Sequence, residues 1–408
     1  MNLDLAIVDF ALMTIANYWV ARSVLYPPFI FCAMWLLDLA IYRCNFIEVD
    51  PLHHATLILI CSGAAAFSAG GAAAIGVPKR LIAIHFKLAP PRQEKRTYKV
   101  VMLGLLACCI PHVMSVTMQL AAIGEGSSFF EKARNAAVDA AFSGQKQPDL
   151  IMDFFGTWTI YLAVLFMIDR RDQLFWVATL FALVANALGG GRTGLLTLIA
   201  ALTTVYMIQT SRQNFFAACK VLRLPALLFL VLYIGLTFLN KDTSIFVSIG
   251  DAAKYFVVSY LIGPTAALDH VLLHPEGFAT MANHSFEFFF KVASTLHLLQ
   301  YVPPDRFEQF IFVPFPTNVF TIFKPYVLEC GVTGVLAILC VLGFIHSLLY
   351  RKAWFSELGL FLFALSVYTA IMVIFDDGYF LGGYLRAACA CIIFQWIRGA
   401  NITLFAKK

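Results

Sequence analysis

The sequence predicts an all-α polytopic membrane protein, with about eleven transmembrane helices and one long outer loop carrying short interfacial helices. Three observations predict it. The 408 residues are 61% hydrophobic and 13% charged, with a mean hydropathy of +0.80, whereas soluble domains carry about 25% charged residues. Apolar runs of spanning length, about 20 residues each, recur along the chain. Lysine and arginine collect in alternate connections, as they do on the cytoplasmic side of membrane proteins. This composition excludes a cytosolic enzyme, a secreted disulfide scaffold and a disordered chain.

In chain order the apolar segments are 5–21, 25–42, 55–76, 98–122, 151–168, 174–190, 194–210, 222–239, 327–349, 356–375 and 380–397. The first is the weakest, because it contains Asp9 and its join to the second is short. A further apolar stretch, 252–268, is interrupted by Gly263 and Pro264, and proline breaks helical hydrogen bonding. It is predicted as an interfacial or re-entrant helix and not as a span. Most of the ten cysteines lie inside apolar runs and none lies in 123–149 or 240–325. They read as small polarizable filler, without a disulfide framework or a Cys/His metal spacing. Asp4 stands where a cleavable signal peptide would carry its basic region, so none is expected.

Orientation follows from the basic residues. Lys79, Arg80, Lys87, Arg92, Lys95 and Arg96 lie in 77–97, Arg170 and Arg171 in 169–173, and Arg212, Lys220 and Arg223 around 211–223. Arg351 and Lys352 follow, then Arg398, Lys407 and Lys408 in the tail. Eleven spans place all of them on one side, with the N-terminus outside and the C-terminus in the cytoplasm. The net charge of +5 is explained by these topology anchors, which face anionic lipid, so no nucleic-acid partner is expected. The chain divides into helices one to eight over 1–239, an outer loop over 240–326, and helices nine to eleven with a cytoplasmic tail over 327–408. The outer loop is rich in Phe, Leu and Val, and its helical apolar spacing at 265–273 and 286–300 predicts short helices at the membrane surface.

Two segments carry chemistry. Gly189-Gly190-Gly191-Arg192-Thr193-Gly194 joins the sixth and seventh spans on the outer side. Its glycines permit a tight turn with exposed backbone, and Thr193 can cap the next helix. That helix start offers unpaired N–H groups to an anion. Arg192 adds a five-donor fork that matches phosphate oxygens. The second segment, Val313 to Tyr326, runs into the ninth span and is followed by Leu328-Glu329-Cys330-Gly331. Thr317, Asn318 and Thr321 offer groups that hydrogen-bond sugars, and the flanking aromatics, Tyr326 among them, can stack on sugar faces. Lys324 is a phosphate-capable cation and Glu329 a carboxylate at the helix lip. Arg386 lies near the outer end of the last span, where a charge is costly without a partner or a role; Asp376 or Asp377 could pair with it. As general bases, Glu329, His270 and Asp376 all remain open. Asp376 and Asp377 lack a third ligand at known spacing, so no metal and no cofactor are expected.

The Gly-Arg-Thr-Gly turn, the single long outer loop after it and the run Thr317-Asn318-Val319-Phe320-Thr321 with Lys324-Pro325-Tyr326 and Glu329-Cys330-Gly331 resemble the Wzy-type oligosaccharide repeat-unit (O-antigen) polymerases. The segment Tyr260 to Asp269 resembles their loop as well. One departure stands out: Asp is commoner where Glu329 stands, with Phe after it. The resemblance covers roughly 180–350 by motif and the remainder by topology. It implies a glycosyltransferase of the bacterial inner membrane. An undecaprenyl-pyrophosphate-linked oligosaccharide would be the donor and a lipid-linked repeat unit the acceptor. An acceptor hydroxyl would attack the donor's anomeric carbon and undecaprenyl pyrophosphate would leave. The product would be an O-antigen, capsule or exopolysaccharide, with a chain-length regulator protein as a partner.

The chemistry of such a reaction fits these residues. Pyrophosphate is a good leaving group, so the protein's main task is to stabilise the departing charge. Preorganised donors in a low-dielectric site contribute about 3–4 kcal/mol each, and Arg192, Thr193, Lys324 and Arg386 are the expected pyrophosphate-binding residues. A lipid-linked glycan ligase of the O-antigen ligase type would want a similar site, with the Thr-Asn-x-x-Thr run favouring the polymerase. A transporter of the lipid-linked unit would show internal repeats and midplane charges in both halves, which this chain lacks.

Overall fold

In a computed structural model the chain is a bundle of helices. The structure describes residues 1–46, 48–78, 94–126, 128–142, 150–169, 174–188, 192–240, 249–275, 311–313 and 316–379, with 286, 290, 293, 294 and 296–300. The helices are α1 Leu3–Ala21, α2 Pro27–Arg43, α3 His54–Gly76, α4 Glu94–Ile123, α5 Phe129–Phe142, α6 Leu150–Ile168 and α7 Leu174–Leu188. They continue with α8 Arg192–Gln209, α9 Phe215–Asn240, α10 Ile249–Leu273, α11 Phe323–Ala353 and α12 Glu357–Ile371, which a 3-10 turn, Met372–Ile374, extends. Two short strands, β1 Ile311–Phe312 and β2 Pro316–Thr317, pair antiparallel.

Among the described residues five helices are long and apolar enough to cross a membrane: Leu3–Ala21, His54–Gly76, Lys99–Ile123, Phe323–Ala353 and Glu357–Ile374. Large apolar side chains cover the outside of the bundle, with Trp176 72% and Phe216 82% exposed. A soluble monomer rarely exposes a contiguous apolar surface of this kind, whereas lipid tails solvate it. Helices cover each predicted apolar segment up to 356–375, and the last, 380–397, lies outside the described residues.

Two large apolar clusters form most of the interior among the described residues. One is built from Trp35, Phe67, Phe323 and Leu339 with their neighbours on α1, α2, α3 and α11. The other joins α4, α6, α7, α8 and α12 around Phe166, Ala182, Val205 and Phe363. Within the first, α3 and α11 lie side by side at backbone contact. A Cβ on Gly70 would stand 1.9 Å from the Cys340 carbonyl oxygen, and one on Gly343 2.0 Å from that of Phe67. Small residues let helix backbones approach closely in membranes, where packing replaces the hydrophobic driving force. At the far end of the pair, Arg351 Nη1 donates to the carbonyls of Ala74 and Val77 (2.6 Å to Val77), satisfying the end of α3. Asp4 and Arg43 tie α1 to α2 at 2.6 Å, and the carboxylate beside it holds the Arg43 guanidinium above its usual range.

The outer loop differs from the sequence expectation in two ways. First, α10 runs unbroken through Gly263 and Pro264, instead of being interrupted there. Pro removes one hydrogen bond, and packing of the flanking turns offsets that loss: residues 262–269 are all buried. Second, α10 lies against one end of the first layer. Ile262 and Ala266 meet Leu3, Tyr42 and Leu52, and Thr265 and Asp269 bond Asp38 and the start of α3. It therefore caps that end. Outside that loop, a 14-residue amphipathic helix, α5, lies between α4 and α6, where no element was predicted. In the predicted helix at 286–300, Phe290, Ala293 and Ser294 are helical, 296–299 are turn and bend, and 287–289, 291, 292 and 295 lie outside the described residues.

Candidate functional site

The segment 316–329 enters the bundle through a turn and a broken helix. Thr317 Oγ1 accepts the Val319 N–H (3.3 Å) and Thr321 Oγ1 accepts the Phe323 N–H (3.3 Å). These hydroxyls shape the backbone, and both threonines are buried. The N–H of Ile322 donates to the carbonyl of Val373 at 3.0 Å, which stitches this segment to the turn after α12. Phe323 then reaches the first core and packs edge-on against Trp35 at 5.4 Å between ring centroids. Eight residues on, Gly331 takes φ 65° and ψ −179° and breaks α11. Only glycine adopts that conformation without strain. The short piece 323–330 can thus point its own way beside the long remainder of the helix.

Around this entrance stand most of the residues predicted for a site. Lys324 is 1% exposed and its ammonium sits 3.4 Å from the centroid of the Phe320 ring. Phe320 is in turn packed by Ala267 and Val271 of α10. Instead of the open cationic seat the sequence suggests, the cation lies beneath an aromatic lid, because α10 closes over Phe320. Tyr326 is fully buried and its hydroxyl faces Asp377. Asp376 is exposed, and its Oδ1 accepts the Asp377 N–H at 2.8 Å. Asp377 is 1% exposed, and its Oδ1 accepts the Tyr379 N–H at 3.0 Å. Asn318 and Glu329 are half-buried on either side of Lys324.

Tyr368 of α12 links this turn to the N-terminus of α8. Its side chain approaches the Thr193 hydroxyl and lies in electrostatic range of Asp376. Thr193 itself is exposed. Arg192 opens α8; its side chain, the glycine turn 189–191 and Arg386 lie outside the described residues. His270 is half-buried on α10, its ring 4.8 Å from that of His274.

The structure thus gathers Thr317, Asn318, Thr321, Lys324, Tyr326, Glu329 and Asp376 at one end of the bundle, with Thr193 beside them through Tyr368. His270 stands on the covering helix. Among the described residues no group of three or more His, Cys, Asp or Glu forms a metal site.

Three polar groups at this end went unread in the sequence. Tyr368 lies inside the apolar segment 356–375. His53 pairs with Asp269, 216 residues away. Asp38 is fully buried in α2 and accepts the Thr265 hydroxyl at 2.8 Å; a single Asp in an apolar run was the signal for it. A further relay lies deeper. Ser366 Oγ donates to the Phe363 carbonyl (2.8 Å), so it accepts from His346 Nε2 (2.9 Å), and His346 Nδ1 takes the Tyr379 hydroxyl (2.8 Å). It anchors the 376–379 turn to α11 and α12.

Fold and surface define a helical membrane protein with a polar cluster at one end. In comparisons with family models, curated proteins and solved structures, the chain has no significant match.

Proposed function

We propose that the chain polymerises undecaprenyl-pyrophosphate-linked oligosaccharide repeat units into a polysaccharide, by glycosyl transfer at the outer face of the bacterial inner membrane. Eleven spans with an outer loop over 240–326 and a cytoplasmic C-terminus complete this reading, together with the motif resemblance of 180–350. The observation that carries it is the meeting of the Thr317–Tyr326 segment, the Asp376–Asp377 turn and the start of α8 at one end of the bundle, linked through Tyr326, Tyr368 and the Ile322–Val373 hydrogen bond.

In this reading Arg192 and the free N–H groups of α8 hold the donor's diphosphate. Lys324 adds its charge when Phe320 turns aside, and Arg386 adds a third cation. Thr317, Asn318, Thr321 and Tyr326 border the sugar. Glu329, His270 and Asp376 are the sequence-level candidates for the base. The departing diphosphate is the group whose charge grows in the transition state, so the cations contribute most to the rate there.

The test is chain elongation in cells that carry variants of Arg192. Arg192→Ala abolishes the ladder of polymer lengths at unchanged protein level. Arg192→Lys restores it in part, because a point charge cannot fork onto two oxygens. A normal ladder in Arg192→Ala removes Arg192 from the site. Single capping in place of a ladder by the wild-type protein points to a ligase.

A further inference from the structure

We propose that His53, held by Asp269, is the general base that takes the proton from the acceptor hydroxyl; this rests on the glycosyl-transfer reading above. His53 is the residue before α3 and Asp269 lies in the last turns of α10. Asp269 is buried. Its Oδ1 accepts the backbone N–H of His53 at 3.0 Å and the hydroxyl of Thr56, and its Oδ2 lies 2.9 Å from His53 Nδ1.

A carboxylate has no proton to donate, so Nδ1 carries the hydrogen and gives it to Asp269. Nε2 is then the lone-pair nitrogen, and it has no hydrogen-bond partner among the described residues. The His53 side chain is 55% exposed while that of Asp269 is 9% exposed. A buried carboxylate thus fixes the tautomer and direction of an accessible imidazole, the division of labour found in acyl-transfer triads. Capping of α3 accounts for the bonds from the His53 N–H and from Thr56, but not for the ring. His54, next in the chain, turns its ring to the carbonyl of Met1 instead.

Location supports the same role. Asp269 lies level with Ala267 and Val271, which pack on Phe320 from the opposite face of α10, and Leu57 and Ile60 of α3 share the first core with Phe323 and Tyr326. The dyad therefore stands at the same end of the bundle as the polar cluster. In the step, His53 Nε2 accepts the hydroxyl proton as the acceptor oxygen bonds to the anomeric carbon. The anomeric C–O bond to the diphosphate breaks, and its electron pair leaves with undecaprenyl pyrophosphate. The imidazolium, stabilised by Asp269, returns its proton to water.

The experiment uses the full-length protein in lipid nanodiscs, with lipid-linked repeat units extracted from cells lacking the gene as donor and acceptor. His53→Gln keeps a hydrogen bond to Asp269 and the backbone cap, but cannot take a proton. Its kcat should fall about 100-fold or more, the usual contribution of a positioned base, with KM within about threefold of wild type. Added imidazole should restore part of the rate to His53→Ala and none to His53→Gln, whose side chain fills the space. His54→Gln should match wild type. A His53→Gln protein that elongates at the wild-type rate overturns the assignment and leaves the polymerase reading standing. So does a His53→Ala protein that stays dead in imidazole while its melting temperature equals that of wild type. A wild-type protein that makes no ladder takes down both.

Discussion

Lys99 and Asp169 are 4% exposed each at their side chains, and their charged atoms stand 2.9 Å apart, with the Lys99 ammonium 4.9 Å from the Phe166 ring centroid. In the sequence Lys99 stands just after the basic stretch 77–97. In the fold it is half of a buried ion pair between the start of α4 and the end of α6, a partnership that no local pattern encodes. Removing one partner leaves a buried charge alone, which typically costs about 3–5 kcal/mol, whereas replacing both by apolar groups is often neutral. Lys99→Ala should therefore lower the unfolding midpoint in detergent sharply, and Lys99→Met with Asp169→Leu should recover most of it. Equal losses in the single and double variants would mean that the pair contributes only packing. The candidate site follows the same division. Thr317, Asn318, Thr321, Lys324 and Tyr326 were legible because they are neighbours in the chain. Tyr368, Asp269 and His53 were not, because each takes its meaning from a residue far away in sequence.

Elements were legible where apolar periodicity runs long, and less so where packing overrides a local signal. Gly263-Pro264 reads as a break, yet α10 continues through it, since its buried turns against α2 and α3 outweigh one lost hydrogen bond. Conversely, nothing in the apolar run after Phe323 announces a break, and Gly331 makes one. The conformation of Gly331 costs a side-chain-bearing residue about 1–3 kcal/mol. Gly331→Ala should thus destabilise the protein by about that amount or straighten α11. Either way it should re-aim 323–330, so that polymer yield falls more than protein level does. A variant with wild-type stability and yield would show that the break is incidental. Where α3 meets α11, the glycines were visible in the sequence but their partner was not, because a stripe of small residues names no neighbour.

For the whole molecule, composition was enough to define a helical membrane protein, and the surface of exposed Trp, Phe and Leu agrees with it. Which end of the bundle faces outward rests on the distribution of Lys and Arg, and free cysteines report on it directly. Cys44, Cys219 and Cys330 are all exposed. In single-cysteine variants treated as intact spheroplasts, a membrane-impermeant maleimide should modify Cys44 and Cys330 and spare Cys219; the reverse pattern would invert the topology.

The most direct measurement of the central idea, that a lipid diphosphate is held at the outer face while its glycan is handed on, is the lipid-linked glycan left in cells from which the gene is deleted. The account predicts undecaprenyl-pyrophosphate-linked single repeat units accumulating in the outer leaflet. Single units confined to the inner leaflet would contradict it and make the protein a carrier of the lipid instead of an enzyme that extends its glycan.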